Sequence, residues 1–65
     1  PQMNNTIRVK RAEHTITQDQ LALQLGVSRQ TINAIENNKY FPSLELALRM
    51  AQIFSCTVDE LFSLD

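Results

Sequence analysis

The chain holds one glycine in 65 residues, Gly26, and it stands where two helix signals almost touch. On its N-terminal side Thr17-Gln18-Asp19-Gln20 has the form T-x-x-Q of a capping box, in which the threonine hydroxyl and the glutamine side chain each satisfy a free backbone amide. Leu21, Ala22 and Leu25 follow on one face of the helix this box opens. Beyond the glycine only Val27 intervenes before Ser28, a favoured N-cap residue. Gly26 enters a left-handed conformation at little cost and so ends the first helix, while Ser28 starts the next at once. The two helices are therefore forced into a sharp corner.

The remaining signals are helical as well. Ile7 to His14 forms a weakly amphipathic first helix. After the corner, Ile32 and Ile35 are the core-facing pair of helix 28–37, and at 100° per residue the opposite direction is taken by Gln30, Ala34 and Asn37, with Asn33 at its flank and Arg29 in the first turn. Asn38 tolerates a left-handed conformation and Pro42 resists continuation, which makes 38–42 a loop. Ser43 caps a fourth helix with Glu45 favourably placed against its dipole. There Leu44, Ala47, Leu48, Ala51 and Phe54 make one stripe and Leu46, Met50 and Ile53 another beside it, so this helix belongs at the centre of the core or at an interface. Thr57-Val58-Asp59-Glu60 is a second capping box, T-x-x-E, opening a short fifth helix that ends near Phe62. No strand-like alternation of useful length occurs.

A chain of this length, 43% hydrophobic, builds one core, and the expected unit is a single domain over residues 3–65. Pro1 and Gln2 precede Met3, a natural start of translation, and read as residues added ahead of it that do not enter the reasoning about the fold. No run nears the roughly 20 apolar residues of a membrane span and no signal-peptide pattern opens the chain, so the expectation is a cytoplasmic protein with no membrane contact. Cys56 has no partner for a disulfide and, with His14 alone, cannot complete a zinc site; it reads as a small buried thiol and His14 as a surface or edge residue. No cofactor, metal or small-molecule ligand is implied. With no glycine-rich phosphate loop and no nucleophile beside a base, the chain does not read as an enzyme.

Charge is distributed unevenly. The net charge is -1, yet residues 1–42 carry five basic against three acidic side chains, and residues 43–65 carry Arg49 against Glu45, Asp59, Glu60 and Asp65. One face alone would approach a polyanion. Two short helices around a tight glycine turn, the second with polar side chains outward, have the outline of a helix-turn-helix. Asparagine and glutamine amides can read adenine bidentately and arginine can read guanine, both in the major groove. Arg29, Gln30 and Asn33 lie on the outer side of the first turns of the second helix, the part that reaches base edges.

Thr17-Gln18, Gln20-Leu21-Ala22, Leu25-Gly26-Val27-Ser28-Arg29-Gln30-Thr31-Ile32, Ile35-Glu36-Asn37 and Pro42-Ser43-Leu44 occur in order and at spacing that resembles the phage Cro and repressor type of helix-turn-helix domain. The resemblance spans residues 7–62. It implies an all-α, five-helix, lambda-repressor-like DNA-binding domain. Carried over residue by residue, it implies phosphate contact by Gln18, Asn37 and Lys39, base reading by Arg29, Gln30, Asn33 and Ala34, the last through its methyl group alone, and a structural salt bridge between Arg11 and Glu36. Thr17 and Ser28 are helix caps to which a phosphate contact can be added. The chain departs from the family pattern at Lys10, where leucine is common, and at Thr15 and Asn38, where glycine is usual.

The reading that follows is a sequence-specific regulator of transcription, a repressor, that binds double-stranded DNA as a homodimer on a palindromic operator. Its dimer surface is expected in the acidic, apolar C-terminal part, at Phe62 and Leu64 with the N-terminal segment. The competing reading is a protein-interaction module, such as an antitoxin or anti-regulator, that keeps the fold. Arg29 and Gln30 separate the two, since a protein-binding domain has no evident use for them there.

Overall fold

The computed structural model describes residues 2–65. Five helices follow one another: α1 (Ile7–His14), α2 (Gln18–Leu25), α3 (Arg29–Glu36), α4 (Leu44–Ile53) and α5 (Val58–Leu61). Two short strands, β1 (Met3–Asn5) and β2 (Phe62–Leu64), precede and follow them and pair antiparallel, with Met3 opposite Leu64 and Asn5 opposite Phe62. The helical expectation is thus met with an addition. The fifth helix ends at Leu61 with Phe62 as its C-cap, as expected, and Phe62 then opens a strand. Gln2 also belongs to the fold, because its carbonyl accepts the Asp65 amide at 3.0 Å, whereas Pro1 lies outside the described residues.

The helix starts follow the local sequence. Thr17 Oγ1 accepts the Gln20 amide at 3.1 Å and the Gln20 side chain accepts the Thr17 amide at 2.9 Å, which completes the capping box of α2. Ser28 and Ser43 accept the Thr31 and Leu46 amides in the same manner, each at 3.1 Å. At α5 the Glu60 carboxylate takes both the Thr57 amide and the Thr57 hydroxyl, and the bond from the Thr57 backbone is the main reason that carboxyl titrates below its ordinary range.

The helix ends share one device. In α1 to α4 a residue with left-handed φ (Thr15, Gly26, Asn38 and Ser55) lets the next amide reach back five residues: Ile16 to Arg11, Val27 to Ala22, Lys39 to Ala34 and Cys56 to Ala51, at 2.9–3.0 Å. Gly26, at φ 72°, has no atom of the described residues beyond its own chain neighbours within 4 Å of where a Cβ would stand, so it is required by its conformation and not by crowding. Thr15 at φ 55° and Ser55 at φ 52° accept the same conformation without glycine's freedom.

Ile7, Leu21, Leu25, Ile32, Ile35, Met50, Phe54 and Leu61 are fully buried and form one cluster with Ala22 and Ala51. The core side of α4 straddles the two stripes expected for it. Ala47, Met50, Ala51 and Phe54 face inward with Leu46 and Ile53 partly covered, while Leu44 and Leu48 are 71% and 50% exposed. Both stripes are apolar, so hydropathy alone does not choose between them. The small side chains Ala47 and Ala51 admit close approach of neighbouring elements, and the bulkier leucines are left outside. Lys10, where leucine was expected from the family pattern, keeps its stem largely covered and sends its amine to Glu13 at 3.6 Å, so the aliphatic part takes the leucine's place. Cys56 is half-buried beside the core and burial pushes its thiol pKa up. His14 is exposed and meets Phe54 edge-on, ring centroids 5.4 Å apart.

Candidate nucleic-acid interface

The corner at Gly26 sets α3 across α2 and turns the first two turns of α3 outward. Gln18, Arg29, Gln30 and Asn33 line one open concavity on that side, and Arg11, Thr17, Asp19 and Arg29 continue it around the N-terminus of α2. The side brings together Arg29, Gln30 and Asn33 of the four residues singled out for base reading, with Gln18 bonded to Arg29 and Asn33, and leaves out Ala34. Arg29, Gln30 and Asn33 are exposed, whereas Ala34 is half-buried and its carbonyl accepts the Lys39 amide. Only part of the Ala34 methyl surface therefore faces outward. Asn37 and Lys39 stand exposed just beyond the end of α3, and the Asn37 side chain bonds back to Asn33.

A buried carboxylate organises these groups from below. The Glu36 side chain is 1% exposed and accepts Arg11 Nε at 2.6 Å and the second guanidinium nitrogen at 3.3 Å, a bidentate pair. Gln18 Nε2 donates to the same carboxylate at 3.0 Å, and Arg8 stands 3.6 Å away. Burial by itself would raise the Glu36 carboxyl. The hydrogen bonds from Arg11 and Gln18, with the charges of Arg11 and Arg8, outweigh it and hold the group below its ordinary value. Glu36 is therefore charged at neutral pH despite its burial, and Arg11 also donates to the Ile16 carbonyl at 3.2 Å, which ties the α1–α2 loop to the same hub.

The hub continues to the surface through Gln18. Its Nε2 also lies 3.4 Å from Asn33 Oδ1, and its Oε1 accepts Arg29 Nε at 3.4 Å. Asn33 Oδ1 further accepts Asn37 Nδ2 at 3.3 Å. Gln18 is thus engaged with its neighbours, and a phosphate contact would have to use what its amide has left. Reading an adenine bidentately requires Asn33 to exchange two weak internal bonds for the base. Arg29 keeps 64% of its side chain exposed, and its contact with Asp19 at 3.9 Å is loose enough to exchange for a base or a phosphate.

Sequence reading missed one residue that matters here. Asn5 lies in β1, outside every helix, yet its Nδ2 donates to the Ile35 carbonyl at 3.1 Å, the Glu36 carbonyl at 3.3 Å and Asn38 Oδ1 at 3.1 Å. Its Oδ1 accepts the Ile7 amide at 3.2 Å, one of the free amides that open α1. The one available signal was an asparagine two residues before a helix start, a common turn former. Of the proposed dimer residues, Phe62 is half-buried against the core while Leu64 is 69% exposed, so the two are not equivalent.

A glycine corner between two short helices, the second holding arginine and amide side chains outward, defines a helix-turn-helix protein. The helix-turn-helix family profile matches residues 7–61. Over 60 residues the chain is 50% identical to an uncharacterized HTH-type transcriptional regulator of Methanocaldococcus jannaschii, covering 92% of this chain and 91% of that one. Over 63 residues it is 43% identical to an uncharacterized HTH-type transcriptional regulator of Archaeoglobus fulgidus, covering 97% and 90% respectively. The crystal structure of a candidate DNA-binding protein from Bacteroides fragilis superposes with a TM-score of 0.84 at 34% identity, covering 94% of this chain and 98% of that one. The chain belongs to the helix-turn-helix family of Cro- and repressor-type DNA-binding regulators.

Proposed function

We propose that the protein binds double-stranded DNA sequence-specifically as a homodimer on a two-fold symmetric operator and represses transcription by occupying it. Helix α3 enters the major groove, with Arg29, Gln30 and Asn33 reading base edges and the Ala34 methyl available to a thymine. Thr17, Gln18 and Ser28 at the two helix starts, and Asn37 and Lys39 beyond α3, grip phosphates. The observation that carries this reading is the gathering of Gln18, Arg29, Gln30 and Asn33 along one open side at the start of α3.

The dimer is inferred from energetics and size. One module with so few contacts binds weakly, and half-sites lie about 34 Å apart on a duplex. The longest extent of the molecule is 30 Å, so two copies placed end to end along that axis come near that spacing. Met3 and the exposed Leu44 line an apolar groove with Pro42, Ala47, Val58 and Phe62, and the exposed Leu64 pairs with Met3 in the adjoining strands, which supports a contact through the C-terminal part and the N-terminal segment.

Selection from a random duplex pool near physiological salt, followed by sequencing, tests the reading. A palindrome with half-sites one helical turn apart is the expected result. No enrichment over the starting pool would overturn base readout and put the protein-interaction module first. A reporter placed behind the selected site then tests the sense of regulation, with lower expression expected when the protein is present.

A further inference from the structure

The last four carbonyls of α3 find no donor among the residues of the helix itself; the Asn37 amide still serves the first of them in the helical pattern, and the other three take partners off that ladder. Asn33 accepts from Asn37, Ala34 from Lys39 and Ile35 from Asn38. Glu36 accepts from the Asn5 side chain, which also reaches Ile35. The remaining donor of the same amide goes to Asn38 Oδ1, on the left-handed residue at φ 60° from which the chain turns toward Lys39. One planar amide in a terminal strand therefore fixes both the end of α3 and the side chain of the residue between Asn37 and Lys39. Its oxygen meanwhile holds the first amide of α1. Asn5 is itself held by strand pairing opposite Phe62.

We propose that Asn5 is a positioning residue for DNA binding: it clamps the turn after α3, so that Asn37 and Lys39 are presented to the phosphate backbone in fixed geometry. The inference rests on the DNA-binding reading above. It concerns a residue that touches no DNA and acts through Asn38. A clamp of this kind removes freedom from the turn before binding, so the ordering cost is not charged against affinity. The predicted loss is accordingly sequence-independent, because phosphate contacts carry no base information.

The experiment compares Asn5→Ala, Asn38→Gly and, as a control, Thr57→Ala, which removes a cap at α5 whose hydrogen bonds go to Glu60 and not to this turn. Asn38→Gly keeps the left-handed turn and leaves the α1 and α3 contacts of Asn5 in place, so it survives even if Asn5→Ala does not fold. At a temperature where each variant is folded, Asn5→Ala is expected to weaken binding about tenfold on selected and random duplexes alike, with Asn38→Gly losing several-fold. The salt dependence should flatten by about one unit for Asn5→Ala, and the effect should shrink in a Lys39→Ala background. Thr57→Ala should stay within about twofold of the parent. Amide exchange without DNA gives a readout independent of the functional reading: exchange at Lys39 should accelerate in both Asn5→Ala and Asn38→Gly while α4 amides keep their rates. Faster Lys39 exchange with no DNA binding by the parent would refute the DNA reading and leave the clamp standing. Unchanged Lys39 exchange, or unchanged affinity in folded Asn5→Ala and Asn38→Gly of a parent that does bind, would overturn the proposal.

Discussion

Replacing Glu36 with glutamine keeps the shape of the side chain and one acceptor oxygen while removing its charge. Arg11, only 16% exposed, then loses its counter-ion. Breaking a buried pair by removing one partner costs about 3–5 kcal/mol. The retained acceptor and the Arg11 bond to the Ile16 carbonyl place this case at the lower end, about 3 kcal/mol. A domain of 65 residues has a total of roughly 3–10 kcal/mol, so the change consumes a large share of it. At about 4–8 °C per kcal/mol for a domain of this size, Glu36→Gln should melt roughly 12–24 °C below the parent.

The same pair makes a pH signature. The folded-state pKa of Glu36 lies below its ordinary 4.5, so the stabilisation is fully present above that value and fades as pH falls through the lower folded-state value. Thermal denaturation followed by circular dichroism from neutral pH down through the acid range should show the parent losing stability over that window and Glu36→Gln losing less. The double variant Arg11→Met with Glu36→Gln, which buries no lone charge, should recover at least about 1 kcal/mol over Glu36→Gln alone. A melting point for Glu36→Gln within about 3 °C of the parent, or an unchanged acid slope, would refute the assignment of Glu36 as the organising charge.

Arg29→Ala should cost about 1–3 kcal/mol on the selected operator and relax preference at one base pair, while Lys39→Ala should weaken all sequences alike; binding titrations on operator and random duplex separate the two. Thr15→Gly should raise stability by about 0.5–1 kcal/mol, because relief of a left-handed β-branched residue exceeds the added chain entropy, and urea denaturation reads it directly. Leu64→Lys should leave the melting point almost unchanged, since the side chain is 69% exposed, yet lower the dimer fraction in sedimentation equilibrium. Phe62→Ala would not separate these effects, because Phe62 packs on the core.

What could be read in advance followed from how local each signal is. Thr17, Ser28 and Ser43 cap helices by bonds that close within three residues, so their neighbours in sequence suffice to recognise them. Gly26 marks its corner for the same reason. The ribbon was illegible because three residues are too few for alternation, and Met3-Asn4-Asn5 has no strand propensity to offer. Its pairing joins the two ends of the chain, and α5 brings those ends together because its Leu61 carbonyl accepts the Thr6 amide and its Glu60 carbonyl accepts the Thr6 hydroxyl. Asn5 was missed on the same account, since the partners of its side-chain nitrogen lie 30 or more positions away. At α4 the period was legible and the core face was left open between two stripes, because Leu44, Leu48 and the buried alanines are all apolar and only the packed neighbours distinguish them.

The pairing of Met3 with Leu64 also bears on how this chain can be rearranged. Its two ends meet in hydrogen-bonded register at one edge, so the path of the backbone is nearly a closed ring. A short linker between the ends would complete that ring without moving a helix, and the chain could then be opened elsewhere, at an exposed stretch such as Tyr40-Phe41, as a circular permutant. For the same reason, a segment fused to either end would emerge from the same corner of the molecule, beside the apolar groove and the expected contact with a second copy. The ribbon therefore sets where any attachment can go as well as how the domain is closed.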